Sequence, residues 1–181
     1  MWGIIDGDRF HPGNIFSGNL SPPTKFTPTK LMIRKAKVSD VKAIYELINL
    51  FAKKDLMLPR PISDLYDSLR DFFVYEDNDA GPIGCCALHI SWEDLAEIRS
   101  LAVDPAKQKK GIGRQLVGVC IDEAKELGIK KIFALTFVPE YFEKLGFVRV
   151  NKSYLPRKVW GECISCVKFP DCSEVPLIKE I

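Results

Sequence analysis

Residues 98–116 read Ile-Arg-Ser-Leu-Ala-Val-Asp-Pro-Ala-Lys-Gln-Lys-Lys-Gly-Ile-Gly-Arg-Gln-Leu, and they restrict the fold more than any other stretch. An aliphatic strand stops at Asp104-Pro105. A basic loop then runs to Gly111-Ile112-Gly113, and a helical pattern starts at once. The first turn of any helix leaves backbone N–H groups without partners at its positive end, an arrangement that suits a diphosphate. Pro105 removes a donor and closes the strand. Gly111 and Gly113 let the backbone approach a ligand with no Cβ in the way.

The 181 residues point to one principal domain, long enough to bury about two-thirds of its unfolded surface. A formal charge of +2 argues against a broad nucleic-acid surface, so basic chemistry must be local. No apolar run approaches the roughly 20 residues of a membrane span, and the first residues lack the pattern of a secretory signal. The expected compartment is therefore the cytoplasm, with the six cysteines as thiols or metal ligands.

Residues 1–31 are punctuated by Gly3, Gly7, Pro12, Gly13, Gly18, Pro22, Pro23 and Pro28 without a sustained period, and read as an extended or flexible N-terminal segment. Residues 32–181 form the folded domain, with 151–181 as a cysteine-containing C-terminal strand and tail. A strand is expected over 32–36. Ser39-Asp40 then opens a helix with Val41, Ile44, Tyr45, Ile48 and Phe51 on one face. Pro59 and Pro61 interrupt before a short helix from Ser63. Strands follow at 72–75, 83–90 and 96–103, the first two joined by a turn through 77–81. After the loop, Leu116, Cys120, Ala124 and Leu127 make a core-facing stripe. A strand at 131–136, a helix at 139–145 and a strand at 147–150 complete the pattern. The order β-α-α-β-β-β-α-β-α-β predicts an α/β fold around a mixed central sheet with flanking helices.

This order, with Gln108-Lys109-Lys110-Gly111-Ile112-Gly113 after Leu101-Ala102-Val103-Asp104-Pro105, resembles the GCN5-related N-acetyltransferase (GNAT) superfamily from about Met32 to Val150. Glu140-Tyr141-Phe142-Glu143-Lys144-Leu145-Gly146-Phe147 resembles its second late signature. Within the superfamily, the chain looks like a short-form N-acetylglutamate synthase without the kinase-like domain. The matching stretches are Leu58-Pro59-Arg60, Gly84-Cys85-Cys86-Ala87-Leu88, Glu97-Ile98, Phe133-Ala134-Leu135-Thr136 and Leu155-Pro156.

The resemblance implies a GNAT fold with a splayed strand pair that binds acetyl-CoA. Gln108, Lys109, Lys110, Gly111, Ile112, Gly113 and Arg114 would hold its diphosphate, and the backbone of Leu101, Ala102 and Val103 its pantetheine arm. The implied reaction is direct attack of the α-amine of L-glutamate on the thioester in a ternary complex, the first step of arginine biosynthesis. An ammonium has no lone pair, so a general base must take its proton. Glu97 matches the family position for that base, and period two places it on one face with Arg99. A carboxylate simply paired with Arg99 is the alternative. Arginine suits carboxylate recognition through its planar fork. Arg60 matches a synthase arginine that contacts substrate, and Arg99 and Arg157 are further candidates. Many relatives carry a tyrosine acid five residues before the phenylalanine of Gly-Phe. Phe142 stands there in this chain, while Tyr141, one residue off, is expected to point elsewhere.

Cys163-x2-Cys166-x5-Cys172 offers three thiolates that could join a fourth ligand on Zn²⁺, or remain unligated thiols. Cys85, Cys86 and Cys120 lie in apolar runs and read as core. Two other readings stay open. One is a GNAT enzyme for another amine: an amino acid, a polyamine or a protein N-terminus. The other is a non-catalytic acyl-CoA-binding sensor. Neither nucleic acid nor membrane is an expected partner, and a homodimer is an open expectation for assembly.

Overall fold

The computed structural model describes residues 33–77, 81–164, 166 and 168–181. The N-terminal segment 1–31 and the turn at 78–80 lie outside the described residues. A seven-stranded mixed sheet runs in the order β1-β2-β3-β4-β5-β7-β6. The strands are β1 (Ile33–Lys35), β2 (Phe72–Asp77), β3 (Gly81–Trp92), β4 (Leu95–Val103), β5 (Lys131–Thr136), β6 (Val148–Arg149) and β7 (Val175–Glu180). The helices are α1 (Val41–Ala52), α2 (Ile62–Asp67), α3 (Ile112–Glu126), α4 (Pro139–Glu143) and α5 (Arg157–Ile164).

Apolar residues of both periods build two cores. Val41, Ile44 and Ile48 of α1 and Leu65 of α2 pack on Phe72, Val74, Cys85 and Ala102. Leu116, Val117, Cys120 and Ala124 of α3 pack on Phe73, Cys86, Leu88, Ile98 and Ile132. The alternation along β2 and β3 thus feeds both cores, as the period of a strand requires. Gly84 lets α3 come close. A Cβ there would stand 3.1 Å from Leu116 Cδ1 and 3.2 Å from Ile112 Cγ2. The helix start at Asp40 is held by its own carboxylate, which accepts from the Lys37 N–H at 2.7 Å and from Arg34 at 2.6 and 3.1 Å.

Two features open a cleft. β4 pairs in parallel with β5 only over Leu95–Glu97 against Lys131–Phe133, although both strands continue further. The β3–β4 register also shifts between Cys85 and Ala87, and Ser100 opposite that shift adopts φ +51. A bulge of this kind bends its strand, and here it turns β4 away from β5.

The tail differs from a plain strand. Residues 157–164 form α5, whose Val159 packs with Leu95, Phe133 and Leu155, while Trp160 Nε1 donates to the Leu155 carbonyl at 3.3 Å. The strand expected in the tail is β7. It inserts antiparallel between β5 and β6, pairing Thr136 with Val175 and Val148 with Ile178. No described helix is long and apolar enough to cross a membrane.

Candidate active site

The parted strands open a cavity of ≈ 670 Å³. One end is the loop after β4. Asp104 caps the turn by accepting from the Ala106 N–H at 2.8 Å, and Gln108 Nε2 donates to the Val103 carbonyl at 3.2 Å. Lys109 and Gly111 take left-handed conformations, φ +62 and +78, which reverse the chain into α3. The first intrahelical bond of α3 is Gln115 N–H to Gly111 O, 3.1 Å. The earlier N–H groups of the turn have no helical acceptor four residues back and stand at the positive pole. Gln108, Lys109, Gly111, Ile112, Gly113 and Arg114 all line the cavity.

Lys110, of the same expected set, is exposed and does not line the cavity. It sits at the crest of the turn, between the left-handed Lys109 and Gly111 that do line the cavity. Lys107 is engaged by Asp77 at 2.8 Å and serves the loop's anchorage. Leu101, Ala102 and Val103 form the wall along which an elongated ligand would lie.

At the other end Glu97, the last β4 residue paired with β5, is buried, and Arg99 Nε donates to its Oε2 at 2.5 Å. Both line the cavity. The pairing set out as an alternative for Glu97 is therefore present, within the cleft rather than at an outer edge.

Arg60 reaches the same cavity from the segment between α1 and α2. Asn49 Nδ2 holds that segment by donating to the Tyr45 and Arg60 carbonyls at 2.9 and 3.2 Å. One guanidinium nitrogen of Arg60 donates to Ser68 Oγ at 3.4 Å, while its Nε is buried without a partner among the described residues. Arg157 lies apart from the residues of this cavity. It is exposed at the start of α5 and does not line the cavity. The helix α5 turns its inward face on Val159 and Cys163 instead.

The tail completes the wall, with two residues, Phe169 and Glu174, that the sequence left without a role. Cys163, Cys166, Phe169, Cys172 and Glu174 all line the cavity. Burial pushes the Glu174 carboxyl up, partly offset by the Cys172 thiol, 3.7 Å away. The Cys163 thiol is pushed up by burial and by its neighbours Cys172 and Glu174. Lys168 reaches across to Asp55 at 2.8 Å and ties this tail segment to the turn after α1. Among the described residues, no group of three or more His, Cys, Asp or Glu side chains is arranged to hold a metal ion. Cys163, Cys166 and Cys172 share the wall without forming such a group.

Phe142 is buried and brings no ionisable group to the cleft. Tyr141 departs from expectation, because its side chain lines the cavity beside Gly113. A five-residue helix joined to a tight turn does not hold the ideal spacing from which its direction was inferred.

The profile of the Acetyltransferase (GNAT) family matches residues 40–147. An uncharacterized N-acetyltransferase of Chlorobaculum tepidum is 36% identical over 149 residues, covering 82% of this chain and 96% of its own. An amino-acid acetyltransferase of Mycobacterium tuberculosis is 36% identical over 151 residues, covering 80% and 86%. A crystal structure of a Mycobacterium tuberculosis protein in complex with CoA and NLQ superposes with TM-score 0.70 at 32% identity, over 82% of this chain and 98% of that one. The Neisseria gonorrhoeae N-acetylglutamate synthase, complexed with CoA and N-acetyl-glutamate, gives TM-score 0.72 at 28% identity, over 82% of this chain and 34% of that one. The loop, the parted strands and these matches agree: the chain belongs to the acetyltransferase (GNAT) family and is an acetyl-CoA-dependent N-acetyltransferase.

Proposed function

We propose that the acceptor is the α-amine of L-glutamate and that the product, N-acetylglutamate, opens arginine biosynthesis. The observation that carries this reading is the Arg60 Nε, buried at the cavity wall with no partner among the described residues. A buried guanidinium N–H left unmade costs about 1–3 kcal/mol, and a carboxylate is the partner that matches its fork. Arg99 is the second cation on this wall, and its bond to Glu97 keeps the two in register. The likeness to a synthase bound to CoA and N-acetyl-glutamate supports the same choice.

Acetyl-CoA would lie with its diphosphate against the amides of 108–114 and its arm along Leu101–Val103, which brings the thioester down the cleft. Glu97, directly or through water, takes the ammonium proton, and the freed lone pair attacks the thioester carbonyl. The tetrahedral intermediate collapses with loss of the CoA thiolate, and the second proton of the attacking nitrogen passes to water to leave the neutral amide. Phe142 has no proton to give, so the thiolate leaves unassisted or is protonated by water.

Arg60→Ala tests the acceptor half. Loss of a charged hydrogen bond predicts a rise of about ten- to a hundredfold in the glutamate KM, with CoA affinity retained. An unchanged KM removes Arg60 from the pocket and this reading with it.

A further inference from the structure

We infer that the Tyr141 hydroxyl donates a hydrogen bond to the diphosphate end of bound CoA, and that Gly113 is small in order to leave that hydroxyl room. The hydroxyl is buried and has no hydrogen-bond partner among the described residues, an unusual condition for a phenol O–H in a folded protein. A Cβ on residue 113 would stand 2.6 Å from Tyr141 Oη and 3.5 Å from Cζ. The second glycine of the loop is thus required by a neighbouring side chain as well as by any ligand.

Position names the partner. Gly113 lies in the first turn of α3, where backbone N–H groups already point outward without helical acceptors. The Arg114 side chain is near enough to act on Tyr141 electrostatically. The buried Cys86 thiol also acts on Tyr141, but the amides of the turn, the phenol O–H and Arg114 are donors, and what satisfies them together is an anionic acceptor with several oxygens. Burial, and then the neighbouring Cys86 thiol, hold the Tyr141 pKa above its ordinary value against the lowering by Arg114, so the proton stays available.

The same position argues against protonation of the leaving thiolate by Tyr141. Val103 stands near Gly113, with its Cγ2 3.8 Å from the site of that Cβ. Glu97 lies six residues back along β4, roughly 20 Å at the rise of a strand. A thioester presented to an amine near Glu97 is remote from a hydroxyl at the loop.

The inference rests on CoA as cofactor and is independent of the acceptor. Calorimetric titration of CoA into wild type and Tyr141→Phe is the test, with inhibition by pantetheine, which lacks the diphosphate, as the second arm. The expected result is a CoA Kd about tenfold weaker in Tyr141→Phe, with pantetheine inhibition within about twofold of wild type. The ligand-free Tm should be equal or higher, because an orphaned hydroxyl has been removed. Gly113→Ala should weaken CoA binding, and Gly113→Ala with Tyr141→Phe should weaken it less than the two single losses combined. An unchanged CoA Kd in Tyr141→Phe overturns the inference. So does an equal loss for pantetheine or a lowered ligand-free Tm. Failure of wild type itself to bind CoA would instead count against the cofactor assignment.

Discussion

Arg99 Nε donates to Glu97 Oε2 at 2.5 Å, and Glu97 is the last residue at which β4 still pairs with β5. The ion pair therefore stands at the apex of the cleft. Strand pairing on one side fixes its backbone, and the opening beyond it admits substrate. An arginine so placed orients the carboxylate and adds positive charge where an acceptor carboxylate would arrive. Glu97 serves as base and Arg99 as its positioning partner in the proposed reaction.

Glu97→Gln keeps the shape of the side chain and removes its basicity. A positioned general base contributes about 10²–10⁴-fold, so kcat should fall by that order while acetyl-CoA binding is kept. The loss should be greatest near neutral pH and should narrow at alkaline pH, where free amine is more abundant. Steady-state kinetics across pH measure this, and a parallel profile for variant and wild type would remove Glu97 as the base.

The cysteines should divide into two classes. Cys85, Cys86 and Cys120 are wholly buried, and burial pushes the Cys85 thiol up to about 12. They should resist a water-soluble thiol reagent until the protein unfolds. Cys163, Cys166 and Cys172 are partly exposed along the cavity and should react in the folded protein, more slowly with acceptor bound. Thiol titration with and without denaturant reads both classes. Protein purified without chelator should carry no stoichiometric zinc, and one zinc per chain that protects these three thiols would contradict the assignment.

Acid should remove one identifiable source of stability. Burial alone would raise the Asp40 carboxyl, but Arg34 and the Lys37 N–H outweigh it and hold it below the usual carboxylate range. A depressed carboxylate pKa stabilises the fold above its unfolded value, near pH 4, and that contribution is lost as pH falls through the folded value. Asp40→Asn should cost about 1–3 kcal/mol at pH 7 in urea unfolding. The gap from wild type should close as pH drops below the ordinary carboxylate range; a gap constant down to pH 2 would show that the pair does not titrate with folding.

Much of this was legible in the chain because it is written locally. The Asp-Pro stop, the left-handed Gly111 and the stripe of α3 depend on neighbours in sequence, and residues 131–136 form the expected strand. What was not legible depends on distant partners. β7 enters between β5 and β6, and no local pattern encodes that insertion. The tail cysteines join the cleft because α5 packs on Leu95 and Phe133. Tyr141 reaches the cavity beside Gly113 because a short helix between turns is oriented by what it packs against. Lys110 and Arg157 carried the right chemistry at positions whose outward direction only the tertiary fold sets.

The acceptor is tested most directly by CoA release in a thiol assay with acetyl-CoA and a panel of amines: L-glutamate, other amino acids, polyamines and a peptide with a free N-terminus. The account predicts the highest kcat/KM with L-glutamate and N-acetylglutamate as the product by mass spectrometry. A higher kcat/KM with any other amine, or CoA binding without turnover on the whole panel, would contradict it.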